Sequence, residues 1–390
     1  EAFREEVRSF IRDGWPLTGD EAGLPLPEQE ALFRERATER GYLNRGIPRK
    51  YGGSEQEPDV LKARIILEEF GRAGAPGEIR NIGPSMLVPT LLECGNEEQK
   101  RTYIPPTIRG EMLWCQGYSE PGAGSDLASL QTRAERVGDE WVINGQKIWT
   151  SAAQFAQMMF CLCRSEPEEP RHAGISYLLI PMDSPGIQVS PLKQMTGGGG
   201  FCEVFFDDVH IPAKNIVGKR GEGWIVSRST LKHERALIGS SDQLVGSFQR
   251  LVALAKQVKR NGRPALESPE VRQKLVQIEG YVDAQRRSGD RLFSAAAHGK
   301  DPGPVGMMMK LNSTNVGHMV AKLALDLIGD AGLLAPDLGW GAAERGLRGW
   351  VGQYMSSISI AIAGGTANIQ RNIIGERGLG LPRDSAAQRR

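Results

Sequence analysis

The hydrophobic period of this chain changes twice along its length. Helical spacing governs the first stretch, two-residue alternation the middle, and helical spacing returns for the remainder. In "EAFREEVRSFI", Phe3, Val7, Phe10 and Ile11 recur at i, i+4, i+7 and i+8. The segment 27–43 continues that pattern and closes at Gly41, and 57–74 runs from an acidic start to a glycine stop. "NEEQKRTYIPPTIRGE" reads as a short helix broken by Pro105 and Pro106. Near Trp114 the texture becomes β-like. "DEWVINGQKIWTS" alternates around Asn144-Gly145, a hairpin signal, and "GISYLLIPM", "GIQVSPLKQM" and "FCEVFFDDVHIP" are further strands. From Gly221 onward four long helices are predicted, over 223–260, 268–297, 304–329 and 348–364. The expected fold is therefore α+β and multidomain: a helical domain at 1–112, a β-rich domain at 113–220 and a bundle of four helices at 221–390. This order excludes a doubly wound sheet, in which strands and helices alternate.

A length of 390 residues fits two or three domains, and a net charge of +1 offers no basic field for nucleic acid. The five cysteines are odd in number and form no C-x-x-C pair, so reduced, buried thiols in a cytoplasmic setting are expected rather than a disulfide frame or a metal site. No apolar run is long enough for a membrane span. The chain begins at Glu1 rather than Met, which reads as a fragment or a trimmed product, with room for a removed targeting segment.

The motifs that would announce other chemistries are missing. There is no G-x-G-x-x-G after a strand, no G-x-x-x-x-G-K-[ST], no H-E-x-x-H and no G-x-S-x-G. "TGGGG" at 196–200 reads as a turn between two strands. "GYSEPGAGSDLASLQTRA" is different in kind. It places Ser119, Gly122, Gly124, Ser125 and Asp126 in one short loop beside the β segment. Glycines there let backbone approach a flat or anionic ligand, and hydroxyls supply short donors. A polar turn is the plain alternative.

Together with "NGQKIWTSAA", that loop resembles the flavin-binding face of the acyl-CoA dehydrogenase family. "YGG" at 51–53, "NEEQKRTYIPP", "FCEVFFDDVHIP" and "GGTANIQRNIIGERGLGLPR" resemble family landmarks in the same order, over almost the whole chain. The resemblance implies an N-terminal helical domain, a middle β-barrel-like domain and a C-terminal four-helix bundle, with FAD between the β domain and the bundle and an acyl-CoA thioester as substrate. It implies that Gln116, Tyr118 and Ser119 line the isoalloxazine and that Gly124 and Ser125 lie near FAD and ligand phosphates. Trp149 and Ser151 would flank the ring, Thr150 would be among the cofactor contacts, and Thr366 and Asn368 would reach the FAD from the last domain. The implied reaction is α,β-dehydrogenation, in which a base removes the α proton while the β hydrogen leaves as hydride to flavin N5. A backbone N–H at Gly364 would serve the developing enolate oxygen. Electron-transferring flavoprotein is the implied acceptor, and a homo-oligomer, dimer or tetramer, the implied assembly.

Most family members carry the catalytic Glu where this chain has Gly364; others carry it in an L-x-x-E-R stretch. Here that stretch is "LKHERALIG", which points to Glu234. The residues support this independently. The row Leu231, Glu234, Ile238, Ser241, Val245, Phe248, Val252 and Ala255 holds one ionisable side chain, and a carboxylate on a packed face is costly unless paired or used. A salt bridge is the alternative use, and a second row through Leu237, Leu244 and Leu251 leaves the facing open. His233 is expected at a surface or interface, and Arg235 either solvated, orienting Glu234 or touching the thioester end.

The pattern also departs from the family. Val258 and Asn261 replace the Arg and Phe of the R-x-x-F-G stretch, and Asp326 and Asp330 stand where Gln and a Gly are usual. An acidic pair repels a pyrophosphate. Arg260, Arg263 or an unlike partner subunit would then supply the contacts, which keeps a half-site subunit of a heterotetramer as one alternative. A flavin monooxygenase on the same fold is another. The Gly364-Gly365 corner leaves volume, so a branched, long or ring-bearing acyl group is expected.

Overall fold

A computed structural model describes residues 1–238, 241–336 and 346–382, with backbone only for 235–238, 241 and 242. The chain divides into two compact bodies. The first comprises Glu1–Leu192 and Gly199–His233; the second takes Lys193–Gly198 and the chain from Glu234 onward.

The first body opens with helices α1 (Ala2–Gly14), α2 (Leu26–Glu39) and α3 (Val60–Ala73). They enclose Val7, Ile11, Phe33, Ala37, Ile66 and Phe70, the inward row of the helical period. α3 starts where the Asp59 carboxylate accepts the Lys62 N–H at 2.9 Å and stops at left-handed Gly74, as the acidic start and glycine stop predicted. Helices α4 (Val88–Cys94) and α5 (Glu97–Ile108) follow. The two prolines do not break α5, contrary to the sequence expectation. Ile104, Thr107 and Ile108 are buried around them, and the Thr107 hydroxyl donates to the Tyr103 carbonyl at 2.6 Å. An Asn96–Gln99 capping box closes the other end, so packing and capping offset two missing backbone donors.

The sheet contains β1 (Trp114–Gly117), β2 (Arg133–Val137), β3 (Glu140–Ser151), β4 (Met158–Arg164), β5 (Ile175–Pro181), β6 (Ile187–Leu192), β7 (Phe201–Pro212) and β8 (Ile216–Val217). The order is β6-β7-β3-β2-β4-β5-β8, with β1 parallel to β4. Long antiparallel pairs dominate it, as a β domain requires and a doubly wound sheet does not. Asn144-Gly145 is not a hairpin. β3 runs through it with a bulge, and the turn sits at Gly138, where Val137 pairs with Glu140. Gly145 has φ 147°, and a Cβ there would lie 2.7 Å from Thr132 Cα. Asn144 instead brackets the neighbouring strand, accepting from the Asp208 N–H and donating to its carboxylate, both at 2.9 Å. The Asn-Gly pair thus serves close strand approach rather than a turn.

Helix α6 (Gly223–Ile238) begins in the first body, and α7 (Ser241–Gln257) lies in the second. The helix expected over 223–260 ends at Gln257. Residues 239 and 240 lie outside the described ones, and Lys259–Arg260 (β9) pairs with Arg263–Pro264 (β10) as a short hairpin. α8 (Pro269–Ala297), α9 (Val305–Ile328), α10 (Leu347–Ile360) and α11 (Ala367–Ile373) complete the second body. α9 packs on α7, α8 and α10 around Leu251, Ala255, Ile278, Val320, Ala324 and Trp350.

Glu69 shows what holds the first helices. Its carboxylate is 2% exposed and accepts from Arg4, from Arg8 at 2.9 Å and from Arg72 at 3.0 Å. The Arg8 hydrogen bond leads in holding its pKa down at about 2, below the ordinary 4.5. A lowered folded-state pKa gives stability that is full above the unfolded value and lost as pH falls towards the folded one. Glu69→Gln is therefore expected to be less stable than the parent at neutral pH. The gap in melting temperature should close between pH 4.5 and about 2, a range that thermal melts across pH will check.

Candidate active site

The loop after β1 is held from beneath. Glu120 lies with its carboxylate 2.7 Å from the Lys147 ammonium of β3, and these side chains are 8% and 0% exposed. The same carboxylate accepts the Gln131 N–H at 2.6 Å and the Thr132 N–H at 2.9 Å. Burial pushes its pKa up, but the Lys147 charge and these donors outweigh it and hold it below the ordinary carboxylate value. Lys147 also donates to the Tyr118 carbonyl at 3.3 Å, and the Ile148 N–H donates to the Ser119 carbonyl at 2.9 Å. Glu120 and Ala123 exchange backbone hydrogen bonds at 2.9 and 3.0 Å, closing the tip.

The loop's surface is open. Gly124 and Ser125 are exposed, and a Cβ on Gly122 or Gly124 would meet no heavy atom within 4 Å. Gly117 is the opposite case: a Cβ there would lie 2.4 Å from Met159 Sδ. Gln116 is half-buried on β1, opposite Phe160 of β4. The Tyr118 ring is core, edge-on to Phe160 and Tyr177 at 6.0 and 6.3 Å, so at this position only backbone is left to meet a ligand.

β3 ends with a second irregularity, between Lys147 and Thr150. Trp149 adopts φ 61°, left-handed for a bulky side chain, and its ring is 58% exposed, edge-on to Phe201 at 6.1 Å. The shift turns Thr150 inward, fully buried, and leaves Ser151 exposed. Trp149 and Ser151, the two expected ring neighbours, are exposed, while Thr150 turns its side chain inward. An exposed indole, the hydroxyls of Ser119, Ser125 and Ser151, and an open glycine loop make a donor set that suits a flat, anionic cofactor such as FAD.

In the second body, Gly364 and Gly365 form a corner with φ 62° and 91°. Two buried side chains hold it. Gln370 Nε2 donates to the Gly364 carbonyl at 3.2 Å, and Lys310 Nζ of α9 donates to the Gly365 carbonyl at 2.7 Å. The Thr366 hydroxyl caps α11, accepting the Ile369 N–H at 3.3 Å, and exposed Asn368 accepts from Arg371 at 3.2 Å. Glu234 is half-buried on α6, and the Arg235 side chain lies outside the described ones. Burial lowers the Lys310 pKa, while the charge of Glu234 acts to raise it. His233 is half-buried in the first body, 3.5 Å from the Glu93 carboxylate. On α7 both rows contribute to the core: Leu244 and Leu251 of the second and Ala255 of the first are buried, and Val245, Phe248 and Val252 pack against them. Arg260 donates to the Asp326 carbonyl at 2.7 Å, so that guanidinium is engaged within the chain.

Sequence reading missed Glu120, Lys147, Lys310 and Gln370. A signal existed for Lys147. It shares the inward parity of Trp141 and Ile143, and a lysine there demands a carboxylate. Lys310 interrupts the apolar run Met307–Met309 in the same manner.

A helical, β and helical chain with a flavin-type loop defines a class of flavoenzyme, and comparison with known proteins makes the class specific. The N-terminal, middle and C-terminal domain profiles of acyl-CoA dehydrogenase match residues 1–111, 115–209 and 221–379. The chain belongs to the acyl-CoA dehydrogenase family, enzymes that are generally FAD-dependent. It is 39% identical to acyl-CoA dehydrogenase IpdE1 of Mycobacterium tuberculosis over 397 residues, covering 99% of this chain and 98% of that one. Among solved structures, the Tcur3481-Tcur3483 steroid ACAD is similar with a TM-score of 0.76 at 29% identity, covering 98% and 99% of the two chains. The ChsE4-ChsE5 complex from Mycobacterium tuberculosis is similar with a TM-score of 0.75 at 30% identity, covering 98% and 97%. No described helix is long and apolar enough to cross a membrane.

Removing one partner of a buried ion pair strands the other charge. Lys147→Met is expected to cost about 3–5 kcal/mol in denaturant unfolding, and adding Glu120→Leu should recover a large part of that loss.

Proposed function

We propose that this enzyme carries out α,β-dehydrogenation of an acyl-CoA thioester with a branched, long or ring-bearing acyl group, and that Glu234 abstracts the α proton. The observation that carries the reading is a pair of positions. Residue 364 is a left-handed glycine with no carboxylate to offer, and residue 234 is a half-buried carboxylate. A carboxylate taken from water gains basicity, which suits a weakly acidic α proton. The Gly364 N–H serves the thioester oxygen as negative charge develops there, a role that needs no side chain. Gln116, Ser119, Gly124, Ser125, Trp149 and Ser151 hold FAD, with Tyr118 and Thr150 contributing backbone, and Thr366 and Asn368 keep the contacts that the family likeness gives them. Bound FAD would accept the β hydrogen as hydride. Arg235 is assigned to the thioester end, electron-transferring flavoprotein to re-oxidation, and 1–112, 113–220 and 221–390 to the three domains. The acyl class is supported by the glycine corner and by the likeness to a steroid ACAD.

A homo-oligomer, dimer or tetramer, is the proposed assembly. A second reading, a half-site subunit of a heteromer, has its own support. Arg260 is engaged by Asp326, whose carboxylate also lies 4.0 Å from the Lys274 ammonium, so two basic groups near the departed family motif are held within the chain.

The deciding experiment is an anaerobic visible spectrum of the purified chain, with a panel of thioesters added. The parent should be yellow and should bleach with bulky acyl-CoA, whereas Glu234→Gln should stay yellow, slower by about 10²–10⁴-fold, the scale of a lost general base. Equal bleaching of the variant would remove Glu234 from the role. Bleaching by short straight-chain thioesters alone would remove the acyl class. A colourless chain that gains activity only with a second, unlike chain would favour the half-site reading.

A further inference from the structure

The base and the oxyanion donor proposed above both lie in the second body, and one buried side chain is tied to each. Lys310 is 2% exposed on α9. Burying an ammonium group is costly, and a chain tolerates it where hydrogen bonding and opposite charge compensate. The hydrogen bond is to Gly365 O at 2.7 Å, and the opposite charge acting on the ammonium is that of Glu234.

The geometry gives this contact a consequence. Glycine has the freest backbone, so a Gly-Gly corner does not by itself direct an N–H. Here the two peptide planes that follow Gly364 are each pinned by a buried donor. Gln370 Nε2 holds the Gly364 oxygen at 3.2 Å, and Lys310 Nζ holds the Gly365 oxygen at 2.7 Å. The Gly364 N–H itself lies in the preceding plane, after Ala363, whose own N–H is tied to the Ser359 carbonyl at 3.1 Å, so the N–H sits between two held ends with φ at 62°. A donor fixed before the reaction avoids reorganisation as enolate charge develops. Lys310 has no carboxylate or hydroxyl chemistry of its own to perform; it acts through the corner and through the base.

We propose that Lys310 is the positioning residue for α-proton abstraction, fixing the Gly364-Gly365 corner and placing a positive charge in the field of Glu234. This rests on the assignment of Glu234 as base and of the Gly364 N–H as oxyanion donor.

The test reads proton abstraction apart from hydride transfer. The flavin-loaded enzyme is incubated in D2O with 3,3-dimethylbutyryl-CoA, which has α hydrogens but no β hydrogen, and α-deuterium uptake is followed by NMR. Thioester affinity is measured by calorimetry, and folding by thermal melts. Lys310→Met should slow exchange by about 10²-fold, the scale of one lost preorganised donor. Its affinity for the thioester should stay within about threefold of the parent, since the lost contact acts on the transition state. Exchange by Lys310→Met within threefold of the parent would overturn the inference. If Lys310→Met does not fold, Lys310→Gln decides, because it keeps a donor and loses the charge. It should slow exchange by about tenfold, and an unchanged rate would again overturn the inference. Glu234→Gln, run alongside, should abolish exchange. If it does so while the Lys310 variants exchange normally, only the Lys310 inference fails. If Glu234→Gln exchanges as fast as the parent, the base assignment fails and takes the inference with it.

Discussion

The flavin-type loop stands on one buried ion pair. Glu120 sits near the start of "SEPGAGSD" and Lys147 on the inner face of β3, and their 2.7 Å contact joins loop and sheet where Lys147 is fully buried and Glu120 nearly so. A pair of this kind adds little net stability over an apolar pair of the same volume. What it adds here is position. The Glu120 carboxylate also takes two backbone N–H groups from the return of the loop, and Lys147 takes the Tyr118 carbonyl. The Glu120 carboxylate and the Lys147 ammonium are thereby both used inward. The upper surface, with Gly122, Gly124 and Ser125, is left open for a ligand.

The second body applies the same device to a different target. Lys310 and Gln370 are buried side chains whose donors end on the carbonyls of the glycine corner. In both bodies a buried polar group directs backbone, and the backbone faces the chemistry. The arrangement suits a reaction that needs a fixed N–H and a flat binding surface more than a crowd of reactive side chains. Glu234 is the exception, a single half-buried carboxylate in a stretch otherwise concerned with packing.

The helix, β, helix order was legible because it rests on hydrophobic period, and period follows from local geometry. The loop was legible because glycine and hydroxyl spacing along the chain is also local. Errors arose where tertiary contact overrode a local preference. Pro105 and Pro106 stay inside α5 because Ile104, Thr107 and Ile108 are buried around them. Asn144-Gly145 has the composition of a turn but lies within β3, where Thr132 approaches too closely for a Cβ. The Thr150 side chain is buried because left-handed Trp149 shifts the alternation by one residue, which strand period alone does not foresee. Spacing alone left the facing of the row through Glu234 open, and packing drew on both rows of α7, burying Leu244 and Leu251 from one and Ala255 from the other.

The sequence by itself determined the class of fold, the family and the candidate positions, including a glycine at 364 and a carboxylate at 234. These depend on residue type and on spacing along the chain, which no partner alters. Only the tertiary structure decided which of those side chains face outward, which carbonyls Lys310 and Gln370 hold, and that Glu120 answers Lys147. Such pairings join residues as far apart as 55 positions, and their geometry exists only once the chain has packed. Burial sets the cost of each unpaired polar group, and that cost, rather than any local preference, selects the partners.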